Sequence, residues 1–243
     1  MQHRYNPDYI HHRDSKLISS MREVVFGMED GMVSTLGAVT GIAVGSQDPF
    51  TVILAGCVII AVESISMGMG SYISSLSEQD IRTRMLYEEK MEIDEFPFEE
   101  ERELQGMYIE DGWPKKLAAE MSRVAKGNKN LMLQEMAYRE LNFSMKEKKH
   151  PWRNGIFMFF AYIVGGLIPL FAYFMAPINT ATKISVVITL LGLFTLGAAT
   201  TKYTKGNWIK MGFRILILGS IALLMGYFIG KLATVINLTY NDM

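Results

Sequence analysis

The sequence predicts an all-α integral membrane protein with five transmembrane helices and a cytoplasmic helical insert between spans two and three. Three observations predict it. Five long windows are apolar enough to cross a bilayer. The charge is segregated, since residues 77–151 hold 17 of the 25 acidic and 13 of the 24 basic residues and leave the rest nearly uncharged over long stretches. No strand alternation or internal repeat is visible, so the mean hydropathy of +0.15 averages two unlike parts.

Residues 1–23 are polar and charged, without the apolar centre of a cleavable signal, and read as a cytoplasmic N-terminal segment. Spans one and two, near 24–45 and 51–75, occupy residues 24–76. Spans three to five, near 154–175, 183–201 and 209–231, occupy 152–232, and a tail of 233–243 follows. At about 1.5 Å per residue each window covers roughly 30 Å of hydrocarbon. Connections 46–50, 176–182 and 202–208 are short, so each joins antiparallel neighbours.

The flanking Lys and Arg set the orientation. Arg4, Arg13, Lys16 and Arg22 precede span one, and Arg82 and Arg84 follow span two. Lys146, Lys148, Lys149 and Arg153 precede span three, and Lys202, Lys205 and Lys210 join spans four and five. The opposite connections carry only Lys183. Both the N-terminus and the insert therefore fall on the cytoplasmic side.

The insert, 77–151, is rich in good helix formers. Pro97, the Gly112-Trp113-Pro114 step and Gly127-Asn128 divide it into about four helices. In span one, Gly37, Gly41 and Gly45 recur at helical spacing, a face that packs closely on another helix of the same chain or of a second copy.

Several classes of function lose support. A net charge of −1 offers no basic field for nucleic acid. The single cysteine, Cys57, can form no intrachain disulfide. No HExxH, CxxC or GKS/T motif occurs, and His3, His11, His12 and His150 lie at polar edges, so a haem, zinc-hydrolase or nucleotide site has no support and no enzymatic activity is expected.

The strongest chemical signals are acids inside spans: Glu29 and Asp30 in span one, Glu63 in span two. An ionisable group in hydrocarbon costs a few kcal/mol, so it faces a pathway or a partner. Glu29 lies close enough to the cytoplasmic end to snorkel. Counted from the span ends, Asp30 and Met67 reach comparable depth and could meet, while Glu63 and Met67 are four residues apart on one helix face. Carboxylate with thioether suits a borderline ion such as Fe2+ better than Mg2+ or Ca2+.

Nine acids crowd residues 88–103 against Lys90 and Arg102. Glu89 with Glu92, and Glu100 with Glu103, are i,i+3 pairs on helices separated by Pro97, and Met136 with Glu140 is an i,i+4 pair on the last insert helix. Facing one another, they would make a multi-carboxylate metal nest. From charge alone such a run is more often a solvated face.

At residues 24–46 (VVFGMEDGMVSTLGAVTGIAVGS) and 63–80 (ESISMGMGSYISSLSEQD) the chain resembles the vacuolar iron transporter family, and the likeness continues at 162–174 and 212–232. The resemblance implies a homodimer of five-helix subunits that moves Fe2+, and often Mn2+, out of the cytosol in exchange for protons. Metal is then transported substrate, with no permanently bound cofactor. Asp30 and Met67 match the family's translocation residues. Glu89, Glu92, Glu100, Glu103, Met136 and Glu140 are similar to its cytoplasmic metal site. One departure is Gly70-Ser71-Tyr72, where many members have Gly-Glu-Tyr; Glu63, two turns earlier, is the candidate replacement carboxylate.

The sequence reading is therefore a proton-coupled exporter of divalent metal in a multi-pass membrane, a prokaryotic plasma membrane or a vacuolar one. Its rivals are a membrane-anchored metal sensor or scaffold, whose insert binds metal or a partner without transport, and a di-metal membrane enzyme, against which the poverty of histidine argues.

Overall fold

The computed structural model describes residues 18–145 and 150–241. The N-terminal basic residues Arg4, Arg13 and Lys16, the histidines His3, His11 and His12, and Lys146, Lys148 and Lys149 lie outside the described residues. All regular structure among the described residues is helical: α1 (Ile18–Ser46), α2 (Pro49–Glu95), α3 (Pro97–Glu110), α4 (Lys115–Lys126), α5 (Lys129–Arg139), α6 (Pro151–Met175), α7 (Ile178–Thr204) and α8 (Trp208–Asn241). These form two compact units. One comprises the residues up to Tyr72 with those from Trp152 onward, the other Ile73–Pro151.

In the first unit, glycines set the helix directions. Gly27 lies against Met158 and Ala161, and Gly31 against Tyr162 and Gly166, so α1 and α6 run parallel. Gly37, Gly41 and Gly45 lie in turn against Ala222, Gly226 and Gly230, so α8 runs parallel to α1 as well. A Cβ on Gly41 would stand 2.7 Å from the Gly226 carbonyl oxygen; only the missing side chains permit this approach. The glycine face thus packs within the chain.

Helices α2 and α7 run the other way. Gly68 meets Gly155 and Phe159 while Gly56 meets Leu170, and the Tyr72 and Trp152 rings lie 4.6 Å apart at the end of that seam. Gly197 meets Met211 and Gly212 while Gly219 meets Leu193. Pro169 interrupts the backbone bonding of α6, and the buried Ser185 hydroxyl of α7 donates to its carbonyl at 2.7 Å. This bond ties α7 to α6 at the proline; the carbonyl that the missing N–H frees is the one four residues earlier, at Gly165.

The outer surface of this unit is oily. Val58, Val62, Ile65, Phe160, Phe171, Ile217, Leu224 and Phe228 are all more than half exposed. A continuous apolar exterior of this kind is stable against lipid and not against water. Four helices, α2, α6, α7 and α8, are long and apolar enough to cross a membrane. The chain is a multi-pass membrane protein. Of the five expected spans, α1 falls outside this set: its 29 residues suffice in length, but Glu23, Glu29, Asp30 and many Gly, Ser and Thr residues dilute its apolar content.

Two boundaries differ from the sequence reading. Span two and the insert share one unbroken 47-residue helix, because no Gly or Pro stands between Gly70 and Pro97 to stop it. Helix α8 runs on to Asn241, through the residues expected to form a tail.

In the second unit the helices end at the expected breakers. Pro97 opens α3, Gly112 adopts φ +95° after it, Pro114 precedes α4, and the Asn128 side-chain Oδ1 accepts from the Asn130 and Leu131 N–H groups to cap α5. Ile93, Leu104, Tyr108, Ala118, Ala125, Met132 and Met136 form its core.

Candidate metal sites

Two groups of acids stand out, one in each unit. In the first, Asp30 of α1 and Glu63 of α2 lie within electrostatic reach of each other, and the Tyr162 side chain of α6 is in reach of both. The glycine seams explain the level: Gly31 packs at Tyr162, and α2 passes the same turn of α6 between Ile60, at Gly166, and Gly68, at Gly155 and Phe159. Met67 lies beside Gly68, about one turn, or roughly 5 Å, nearer the start of α1. Asp30 is therefore level with Glu63, and half-buried Met67 sits a turn away.

Glu63 is exposed on the surface of the single chain, Asp30 is half-buried, and neither is in an ion pair among the described residues. One turn along α1, the Ser34 hydroxyl and the fully buried Tyr162 hydroxyl share a hydrogen bond of 2.6 Å. Sequence reasoning missed Tyr162, because a tyrosine in an apolar run signals nothing by itself. It also missed Glu23, which is 1% exposed, has Arg22 on one oxygen at 3.0 Å and leaves Oε2 buried without a hydrogen-bond partner. Its signal was present, an acid one residue before the window drawn for span one.

In the second unit, α2, α3 and α5 with its C-cap Glu140 each contribute one step of four residues to a layered arrangement: Glu89 above Ile93, Glu100 above Leu104, Glu140 above Met136. The apolar members are buried in the core, and Glu89 and Glu100 are only 2% and 6% exposed. Side-chain hydrogen bonds link Glu89 to both Glu140 and Glu100, with Glu92 and Glu103 close enough to act on them electrostatically. All five carboxylates are brought together, and Met136 forms part of the floor beneath them.

The electrostatics are those of crowded, partly buried like charges. Burial, followed by the charges of Glu140 and Glu100, pushes Glu89 up to about 8. Burial, then Glu103, Glu140 and Glu92, pushes Glu100 up to about 7, and Glu140 is raised chiefly by burial. One oxygen of Glu89 and one of Glu100 are buried without a hydrogen-bond partner. Neighbouring acids differ: Glu101 pairs with Lys126 at 2.8 Å, Asp94 with Lys129 at 2.5 Å and Glu88 with Arg84 at 3.4 Å. Among the described residues Glu89, Glu92, Glu100, Glu103 and Glu140 enter no ion pair. No three Asp, Glu, His or Cys side chains among the described residues close to metal-ligand spacing; the group is gathered but open.

The profile of the VIT family matches residues 21–231, which include both groups of acids. The chain belongs to the VIT family. It is similar to the Vacuolar iron transporter of Plasmodium berghei (strain Anka), 29% identical over 87% of this chain and 81% of that protein. It is also similar to Vacuolar iron transporter 1 of Tulipa gesneriana, 29% identical over 87% and 86%, and to that of Arabidopsis thaliana, 27% identical over 91% and 90%. The VIT family likeness therefore covers both units rather than one.

Proposed function

We propose that this VIT family protein transports a divalent transition metal, Fe2+ or Mn2+, out of the cytosol in exchange for protons, across a vacuolar membrane or a prokaryotic plasma membrane. The observation that carries the reading is Asp30 level with Glu63 in the helical bundle, two carboxylates with no basic partner among the described residues. Uncompensated acids at membrane depth mark ion paths. Names given to relatives, vacuolar iron transporters, agree with a metal as the cargo.

The insert serves as the capture site. Glu89, Glu92, Glu100, Glu103 and Glu140 supply hard oxygen ligands and Met136 a soft thioether, a mixture suited to Fe2+ or Mn2+ over Mg2+. Buried carboxyl groups that hold protons near neutral pH exchange them for metal, because both compete for the same lone pairs. The orphaned oxygens of Glu89 and Glu100 are acceptors a cation would satisfy.

Helix α1 acts as the fifth span, and Asp30, Glu63 and Met67 form the path. Glu63 is exposed on one chain, and a carboxylate cannot face lipid cheaply, so a second copy completes the path as a homodimer.

The test is Fe2+ uptake into liposomes that hold the purified protein and an internal chelating dye. Wild type should accumulate metal when a pH gradient is imposed, and Asp30→Ala should not. A wild type that binds metal but moves none would leave the sensor reading in its place.

A further inference from the structure

Beside the connection between α7 and α8 lies an open cavity of about 340 Å3, lined by Thr201, Thr204, Asn207, Lys210 and Arg214 among others. Lys210 and Arg214 are i,i+4 neighbours on one face of α8, a spacing at which like charges repel. Lys202 and Lys205 flank the same turn, and Lys205 itself closes α7 with a left-handed backbone, φ 52°. Two cations, Lys210 and Arg214, thus line the cavity, and two more flank it in sequence.

Nothing in their own helices balances them. Residues 151–241 contain no Asp or Glu at all, and none of the four enters an ion pair among the described residues. The first N–H groups of α8 are already taken, since Asn207 Oδ1 accepts from Ile209 and Lys210 at 3.0 and 3.2 Å. An anion here would be held by the Lys210 ammonium and the Arg214 fork, which matches phosphate with paired hydrogen bonds.

We propose that this cavity binds the phosphate of an anionic phospholipid headgroup. A lipid fits better than free phosphate because an apolar wall leads away from the cations. Trp208, Ile209 and Phe213 are exposed beside them, the Phe194 ring touches both aromatics at 6.2 and 5.6 Å, and exposed Ile217, Leu218 and Ile221 continue along α8. Aromatic rings at this level mark the membrane interface, and basic pockets between helices there take anionic headgroups. The inference rests on the membrane placement of α7 and α8 and not on metal transport.

The experiment is native mass spectrometry of the full-length chain in detergent, titrated with phosphatidylglycerol, with phosphatidylcholine and, in a third arm, with inorganic phosphate. Wild type should retain phosphatidylglycerol in preference to phosphatidylcholine. The Lys210→Gln, Arg214→Gln double variant should bind it roughly tenfold or more weakly, and Arg214→Gln alone should fall between. The charge-preserving Lys210→Arg, Arg214→Lys pair should keep most of the binding, and Lys231→Gln, at the other end of α8, should change nothing. Equal retention by the double glutamine variant overturns the proposal. So does retention of inorganic phosphate at the concentrations that saturate the lipid, which would make this a site for a free anion.

Discussion

The Tyr162 hydroxyl of α6 stands 2.6 Å from the Ser34 hydroxyl of α1, one turn beyond Asp30. This bond ties α1, which carries Asp30, to α6, on which it packs. Tyr162→Phe keeps the ring but leaves the Ser34 hydroxyl without that partner, at a cost of about 1–3 kcal/mol. A thermal melt of the detergent-solubilised protein should show a lower Tm with unchanged helix content. An unchanged Tm would mean that the hydroxyl pair carries no stability.

Glu89 gives the insert a distinctive pH dependence. Its carboxyl is raised from the ordinary 4.5 to about 8, so between these values the folded chain holds a proton that the unfolded chain has released. The stability this group contributes is complete below about pH 4.5 and is lost as pH rises through about 8. Glu89→Gln should therefore raise the metal-free Tm at pH 8, on the order of 5 °C, and weaken Mn2+ binding measured by calorimetry. A lower Tm at pH 8 would contradict the crowded-carboxylate account.

Metal binding to the insert should itself depend on pH. Glu100 is pushed to about 7 and Glu89 to about 8, so a cation must displace protons from both near neutrality. Mn2+ affinity should fall by about tenfold or more for each pH unit below 7, with protons released on binding in weakly buffered solution. Affinity that is flat from pH 6 to 8 would exclude these two groups as ligands.

Gly41 tests the seam between α1 and α8. A Cβ there would lie 2.7 Å from the Gly226 carbonyl oxygen, and backbone cannot give way as a flexible side chain can. Gly41→Leu should cost about 1–3 kcal/mol or more and lower the yield of monodisperse protein on size exclusion. Gly106→Leu, where nothing lies within 4 Å, is the matched control and should behave as wild type.

The helix breaks of the insert were legible because Pro97, Gly112-Trp113-Pro114 and Gly127-Asn128 act locally, through the covalent backbone, whereas Pro169 is carried inside α6, packed against its neighbours. The end of span two was not legible. Helix propensity continues smoothly from membrane to insert through Ser74–Glu95, so depth counted from an assumed span end placed Met67, rather than Glu63, level with Asp30. The glycine stripe of α1 announced close packing but could not name α8 as its partner. The acid run at 88–103 named the residues, yet only the packing of α2, α3 and α5 separated the unpaired Glu89 and Glu100 from Asp94 and Glu101, whose lysine partners lie 35 and 25 residues away in sequence.

The central claim is exchange of metal for protons along Asp30 and Glu63, and the most direct test records both ions at once. Liposomes holding the protein, loaded with an Fe2+-sensitive dye and a pH indicator, should show metal entering as protons leave in a fixed ratio, with both fluxes abolished in Asp30→Ala and their pH dependence shifted in Glu63→Gln. Metal entry without proton movement, or a Glu63→Gln variant with the wild-type pH profile, would contradict it.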